Sequence, residues 1–195
     1  MSKKEARVKL KIPENDKLIL FFGFIRSYKG LDLLIEAMNE PEMKDLNVRL
    51  LIAGEFYEDS KPYLDRISEL NGENRFILHT TFISKDDVKY YFCAADLVVQ
   101  PYKSATQSGI TQIAYYFGRP MLVTSVGGLA EIVADKRVGY VTDRNARSIA
   151  SAISDFYTNN KEADFSQNAL EDSEKFSWKT FTTGILELNN EISAS

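Results

Sequence analysis

Short apolar runs and amphipathic stretches alternate along almost the whole of this chain, and that alternation limits the folds open to it. Strand-like runs cover 17–24 (KLILFFGF), 47–54 (NVRLLIAG), 75–80 (RFILHT), 96–101 (DLVVQP), 119–125 (RPMLVTS) and 138–142 (VGYVT). Between them lie segments with apolar residues at helical spacing. Leu31, Leu34, Ile35 and Met38 mark a helix over 29–40; Tyr63, Ile67 and Leu70 mark another over 60–72, closed by Asn71-Gly72. Residues 84–96 open with Ser84, Asp86 and Asp87, which suit a helix N-terminus. Further helices are expected over 109–118, 127–135, 146–159 and 177–192. Pro120 stands at the edge of its strand, where a missing N–H is tolerated.

Strands that read as continuous apolar runs are covered on both faces, which is the mark of a parallel sheet. The expected fold is therefore α/β: a Rossmann-like three-layer αβα sandwich with about six parallel strands. Residues 1–16 read as a lead-in segment and 17–195 as one domain. At 195 residues the chain can bury roughly 70% of its unfolded surface without a staple.

Charge and cysteine content exclude several functions. The net charge of -4 provides no basic field to neutralise many phosphates, so nucleic-acid binding is not expected. One small anion needs only two or three local cations and stays open. Cys93 is the only cysteine and His79 the only histidine, which leaves no intrachain disulfide and argues against a protein-built zinc site. Both read as structural residues. The N-terminal stretch SKKEARVKLKIPENDK lacks a signal-peptide core, and no apolar run approaches the ~20 residues of a membrane span. A soluble, cytoplasmic protein is expected, with peripheral membrane association left open.

In sheets of this kind ligands gather beyond the carboxyl ends of the strands. That edge would collect GFIRSYKG (23–30), AGEFYED (53–59), TTFISKDD (80–87), QPYKSATQSG (100–109) and TSVGGL (124–129). Arg26 and Lys29 lie between Gly23 and Gly30, just ahead of a helix. Cations there oppose the helix dipole, but they gain a purpose if a phosphate docks among them. A solvated basic loop explains them equally well from these residues alone. The loop is neither a Walker loop nor a G-x-G-x-x-G fingerprint. Thr106, Gln107, Ser108 and Gly109 bring hydroxyls, an amide and an open backbone N–H to the start of the next helix. Ser108 also suits a plain N-cap, and the two roles are compatible. Gly127-Gly128 permits a tight turn, and Glu131 after it reads as structural, with a cleft-facing role the minor alternative.

Taken in order, FFGFIRSYKGLDLLIEAM, RLLIAG, FISKDDVKYYFCAADLVVQPY, SGITQIAYYFGRPMLVTSVGGLAEIV, VGYVT and FSWKTF resemble the C-terminal, nucleotide-sugar-binding domain of GT-B glycosyltransferases of the retaining family 4 (group 1) type. The resemblance runs from about residue 7 to 190. It implies transfer of a sugar from a nucleotide-diphosphate donor, most simply a UDP- or GDP-sugar, with no metal or other cofactor. Arg26 and Lys29 match the basic pair that contacts the diphosphate, beside Gly23. Phe82 and Ile83 match the loop whose backbone reads the base. Thr106, Gln107, Ser108 and Gly109 match the phosphate- and sugar-holding loop, with Gln112 near the ribose.

Two departures stand out. Many members carry paired glutamates where this chain has Ala105 and Ile113. A whole GT-B enzyme also has two Rossmann-like domains, so the expected partner is a missing N-terminal domain carrying the acceptor site. Donor and acceptor must be held together for rate, so this chain is expected to bind donor yet transfer sugar poorly alone. A non-catalytic nucleotide-sugar binding or partner-docking module is the alternative. No residue argues for an epimerase or phosphorylase on the same fold.

Overall fold

A computed structural model describes residues 1–70, 75–176, 182, 183, 185 and 186. These contain one sheet of six parallel strands: β1 (Lys17–Phe22), β2 (Val48–Ala53), β3 (Phe76–His79), β4 (Leu97–Gln100), β5 (Met121–Thr124) and β6 (Gly139–Thr142). Their spatial order is β3-β2-β1-β4-β5-β6. β1 pairs with β2 from Lys17↔Val48 to Phe22↔Ala53, and with β4 through Ile19↔Leu97 and Leu20↔Val98. The Rossmann-like fold expected from the sequence is the one observed.

Alternate strand residues supply the two faces. Ile19, Phe21, Leu50, Ile52, Leu97 and Val99 pack with α2 (Leu31–Asn39), α3 (Pro41–Lys44), α4 (Lys61–Leu70) and α8 (Ala146–Thr158). Leu18, Leu20, Leu51, Ala53, Val98 and Val123 pack with α1 (Lys3–Leu10), α5 (Val88–Ala94), α6 (Gly109–Tyr116) and α7 (Leu129–Ile132). α9 (Glu162–Ser173) serves both layers, giving Phe165 to the first core and Ala169 to the second. Each large apolar side chain buried in this way contributes about 1.5–3 kcal/mol of transfer free energy.

The order reverses between β1 and β4. The chain therefore leaves these neighbouring strands toward opposite faces, into α2 and α6, and a crevice opens between the two exits. No helix among the described residues is long and apolar enough to cross a membrane.

The structure adds elements that periodicity does not reveal. The lead-in expected over 1–16 holds α1, whose Ala6 and Arg7 are buried. Ser2 and Glu5 form a capping box at its start. Its anchor is ionic: the Arg7 Nη2 lies 2.8 Å from Asp96 Oδ1, and Arg7 Nε donates to Ala94 O at 3.0 Å. Asp96 also accepts from Lys3 Nζ, the Leu18 amide and the Tyr157 hydroxyl. α9 is likewise additional, because EADFSQNALEDS carries few apolar residues. α5 is shorter than the expected 84–96, since Ser84 closes a turn ahead of it by accepting the Asp87 amide at both its Oγ and its carbonyl oxygen. The helix expected over 177–192 lies mostly outside the described residues.

Candidate functional site

β1 ends at Phe22, and the chain then runs beside the end of β2 for a few more residues. Gly23 N donates to Ala53 O, Ile25 N to Glu55 O, and Tyr57 N to Ile25 O. These bonds carry the backbone past the sheet edge before it turns through a short 3-10 segment, Ser27–Lys29, into α2. Gly30 joins the two with φ +69, and a Cβ on it would meet Pro101 O at 1.9 Å. Only glycine allows this approach, which presses the loop after β1 onto the loop after β4.

That contact directs Lys29 back into the molecule. Its Nζ sits 5.7 Å from the Tyr102 ring centroid. It also lies beneath Gly23, where a Cβ would stand 2.9 Å from it. Lys29 is only 8% exposed. Burial, reinforced by the positive charge of Arg26, pushes its pKa down to about 8. None of the ion pairs among the described residues includes Lys29. A buried ammonium without a counter-charge is costly, and a bound anion would relieve that cost.

Lys29 lines a cleft of about 260 Å³ together with Gly23, Glu55, Phe82, Ile83 and Ile110. Four segments far apart in sequence thus meet: the loops after β1, β2 and β3, and the first turn of α6. Phe82 is 70% exposed, while Ile83 packs partly into the core. Ser108 caps α6, its Oγ accepting from the Ile110 amide at 3.2 Å and sharing a 3.2 Å hydrogen bond with the Tyr102 hydroxyl. Gly109 has no atom within 4 Å of where a Cβ would stand, so its backbone is open to a ligand. Thr106 and Gln107 are exposed in the loop just before, and Thr106 O accepts from the Gly128 amide at 3.0 Å.

Other candidates lie apart from the cleft wall. Arg26 is exposed, its guanidinium carbon 5.1 Å from the Tyr57 ring centroid, and that ring meets Phe24 at 4.4 Å with a tilt of 51°. Gln112 is exposed on α6, about 200° around the helix from Ile110. Ala105 and Ile113 are half-buried against the core. Both are apolar packing sites.

Tyr102 is the residue that motif reading passes over. It touches both Lys29 and Ser108, yet its only sequence signal is an aromatic just after a strand-ending proline.

A larger hollow of about 510 Å³ between α2 and α4 is lined by Asp32, Glu36, Glu58 and Asp59. All four carboxylates are engaged: Asp32 with Lys103, Glu36 with Arg66, Glu58 with the Ser27 amide and Tyr63, and Asp59 with the Lys61 amide. Cys93 is buried in α5, and burial pushes its thiol pKa up. His79 Nδ1 lies 3.2 Å from the Tyr91 hydroxyl, and burial pushes its imidazole down. Glu131 is exposed on α7, and no hydrogen bond among the described residues gives it a packing role. No group of three or more His, Cys, Asp or Glu side chains among the described residues is arranged to hold a metal ion.

Comparison with known proteins follows the same lines. The family model for glycosyl transferases group 1 matches residues 2–172. An uncharacterized glycosyltransferase of Methanocaldococcus jannaschii is 33% identical over 141 residues, covering 71% of this chain and 35% of its own length. The structure of Anabaena HepE in complex with UDP matches with a TM-score of 0.81 at 21% identity, over 97% of this chain and 52% of that one. The C-terminal domain of a glycosyl transferase group 1 family protein from Francisella tularensis gives 0.79 at 19% identity, over 91% and 94%. The present chain spans less than half the length of the curated relatives it matches. The chain belongs to the group 1 glycosyl transferase family.

Proposed function

We propose that this chain is the donor-binding domain of a retaining glycosyltransferase, which moves a sugar from a nucleotide-diphosphate sugar to an acceptor. The observation that carries the reading is Lys29: a buried ammonium with no ion-pair partner among the described residues, at the crevice where β1 and β4 send their helices apart. A diphosphate between Lys29 and the open first turn of α6 supplies the missing negative charge. The α6 amides and dipole favour an anion at that end. Arg26 adds a second cation at the rim. As the bond to the sugar breaks, the diphosphate gains charge, and fixed cations stabilise it most at that moment.

The base lies against the Phe82–Ile83 loop, and the sugar against Thr106, Gln107, Ser108 and Gly109. UDP is the first nucleotide to test, because HepE was solved with UDP and with UDP-glucose. The arrangement calls on no metal. The donor domain takes in α1, whose Ala6 and Arg7 are buried in it, and the acceptor is carried by an N-terminal Rossmann-like domain. Without that domain the chain binds donor but completes little transfer.

A second reading rests on Ala105 and Ile113. With no carboxylates at these positions, the domain would hold a nucleotide sugar, or dock a partner, without catalysis.

Calorimetric titration with UDP, GDP and ADP, using Lys29→Ala as control, tests the proposal. Binding of one nucleotide that is lost in the variant supports it. No binding to any of the three, or binding indifferent to Lys29, overturns it.

A further inference from the structure

Two halves of the candidate anion site come from loops that no strand pairing ties together beyond the sheet edge. Lys29 sits after β1 and Ser108 before α6. One side chain touches both. Tyr102 is 3% exposed. Its ring lies 5.7 Å from Lys29 Nζ, and its hydroxyl is 3.2 Å from Ser108 Oγ.

We propose that Tyr102 is a positioning residue that locks the Lys29 ammonium and the Ser108 cap into one rigid unit. The inference rests on the donor-site reading for its purpose, but not for its geometry.

The chemistry favours tyrosine over its nearest substitutes. Among the described residues Lys29 has no ion-pair partner, so the negative face of an aromatic ring is the attraction these residues offer its buried charge. Arg26, whose charge acts on it, and Glu55, which lines the same cleft, form no ion pair with it among the described residues. A phenylalanine would keep that face but leave the Ser108 hydroxyl without its second contact. A leucine would lose both. A buried phenol needs a partner in turn, and Ser108 supplies it.

The ring is itself held on several sides. Tyr28 meets it edge-on at 6.0 Å and 82°. Thr124 Oγ1 donates to the Tyr102 carbonyl oxygen. The Lys103 amide donates to Tyr28 O at 2.7 Å, which ties the same two loops a second time. Burial pushes the Tyr102 phenol pKa up to about 12, so the ring stays neutral beside the ammonium.

The test is an NMR pH titration of the Lys29 Cε signal in the 195-residue chain. It compares the parent, Ser108→Ala, Tyr102→Phe and the double variant, each checked for folding by circular dichroism. Calorimetric titration of the same four proteins with UDP runs alongside. If Tyr102 couples the two groups, Ser108→Ala shifts the Lys29 signal in the parent background and not beside Tyr102→Phe. Tyr102→Phe then weakens UDP binding roughly three- to tenfold, the loss of one buried hydrogen bond, and the double variant is no worse.

A Lys29 signal that ignores Ser108→Ala overturns the proposal, as do strictly additive effects. If Tyr102→Phe fails to fold, the Lys29 response to Ser108→Ala alone decides. If the parent binds no UDP, the donor-site reading is what weakens, while the ligand-free titration still decides the role of Tyr102.

Discussion

The Lys29 ammonium occupies the space that a side chain at Gly23 would take: a Cβ there would stand 2.9 Å from Nζ, on a backbone with φ +98. Gly23→Ala therefore does two things. It strains a left-handed backbone, at about 1–3 kcal/mol, and it drives the lysine out of its place. Urea denaturation should show the strain, and UDP titration should show affinity lost beyond the fall in folded fraction. Intact binding in a destabilised Gly23→Ala would mean that Lys29 does not need its observed position.

The sheet was readable because its strands are buried on both faces, so Leu18, Ile19, Leu20 and Phe21 stand in one unbroken run. α2 was readable because Leu31, Leu34, Ile35 and Met38 keep the 3.6 period over a full-length helix. α1 was not, because its anchor is a charge pair and Arg7 finds its partner 89 residues away. The candidate site divides in the same way. That Lys29 stands at a helix start was visible in the loop. That it is buried was not, because the loop carrying Pro101 and Tyr102 does the burying. Gln112 shows the opposite limit: two positions beyond the cleft-lining Ile110 a helix turns a side chain by about 200°, to an exposed face.

Asp96 should be among the most sensitive positions in the fold. It is 4% exposed and accepts from Arg7, itself 3% exposed, as well as from Lys3, the Leu18 amide and Tyr157. Asp96→Ala leaves a buried guanidinium without its carboxylate, a loss of about 3–5 kcal/mol. Removing residues 1–16 takes away both cations, Lys3 and Arg7, and leaves the buried Asp96 carboxylate only the Leu18 amide and the Tyr157 hydroxyl, so it too should destabilise. Denaturation of both variants checks this. Parent-like stability in the truncated chain would show α1 to be dispensable.

Restoring a family carboxylate should not be free. Ile113 is half-buried against the core formed with α5 and α6. Ile113→Glu removes apolar contact and brings a charge toward it, so a loss of about 1–3 kcal/mol is expected from the polar-burial term. Tighter binding of a UDP-sugar with no change in stability would instead show that position 113 faces the donor.

Lys29 also makes a prediction about pH. Its pKa falls from an ordinary 10.5 to about 8, first through burial and then through Arg26. Below pH 8 folded and unfolded chains both hold the proton, and the full cost of burying the charge is present. Between 8 and 10.5 the unfolded chain binds a proton that the folded one has released, so this group's contribution to stability rises with pH. Lys29→Met should therefore stabilise the free domain at neutral pH by roughly 1–3 kcal/mol, allowing for its remaining solvent contact. Binding has the opposite sign. A diphosphate beside Lys29 favours the charged form, so complex formation above pH 8 takes up a proton. UDP affinity should fall by up to roughly tenfold between about pH 7.5 and about pH 9, and Lys29→Met should flatten that slope. Calorimetry in buffers of different ionisation enthalpy reads the proton uptake directly. A pH-independent affinity in the parent would mean that Lys29 does not meet the diphosphate.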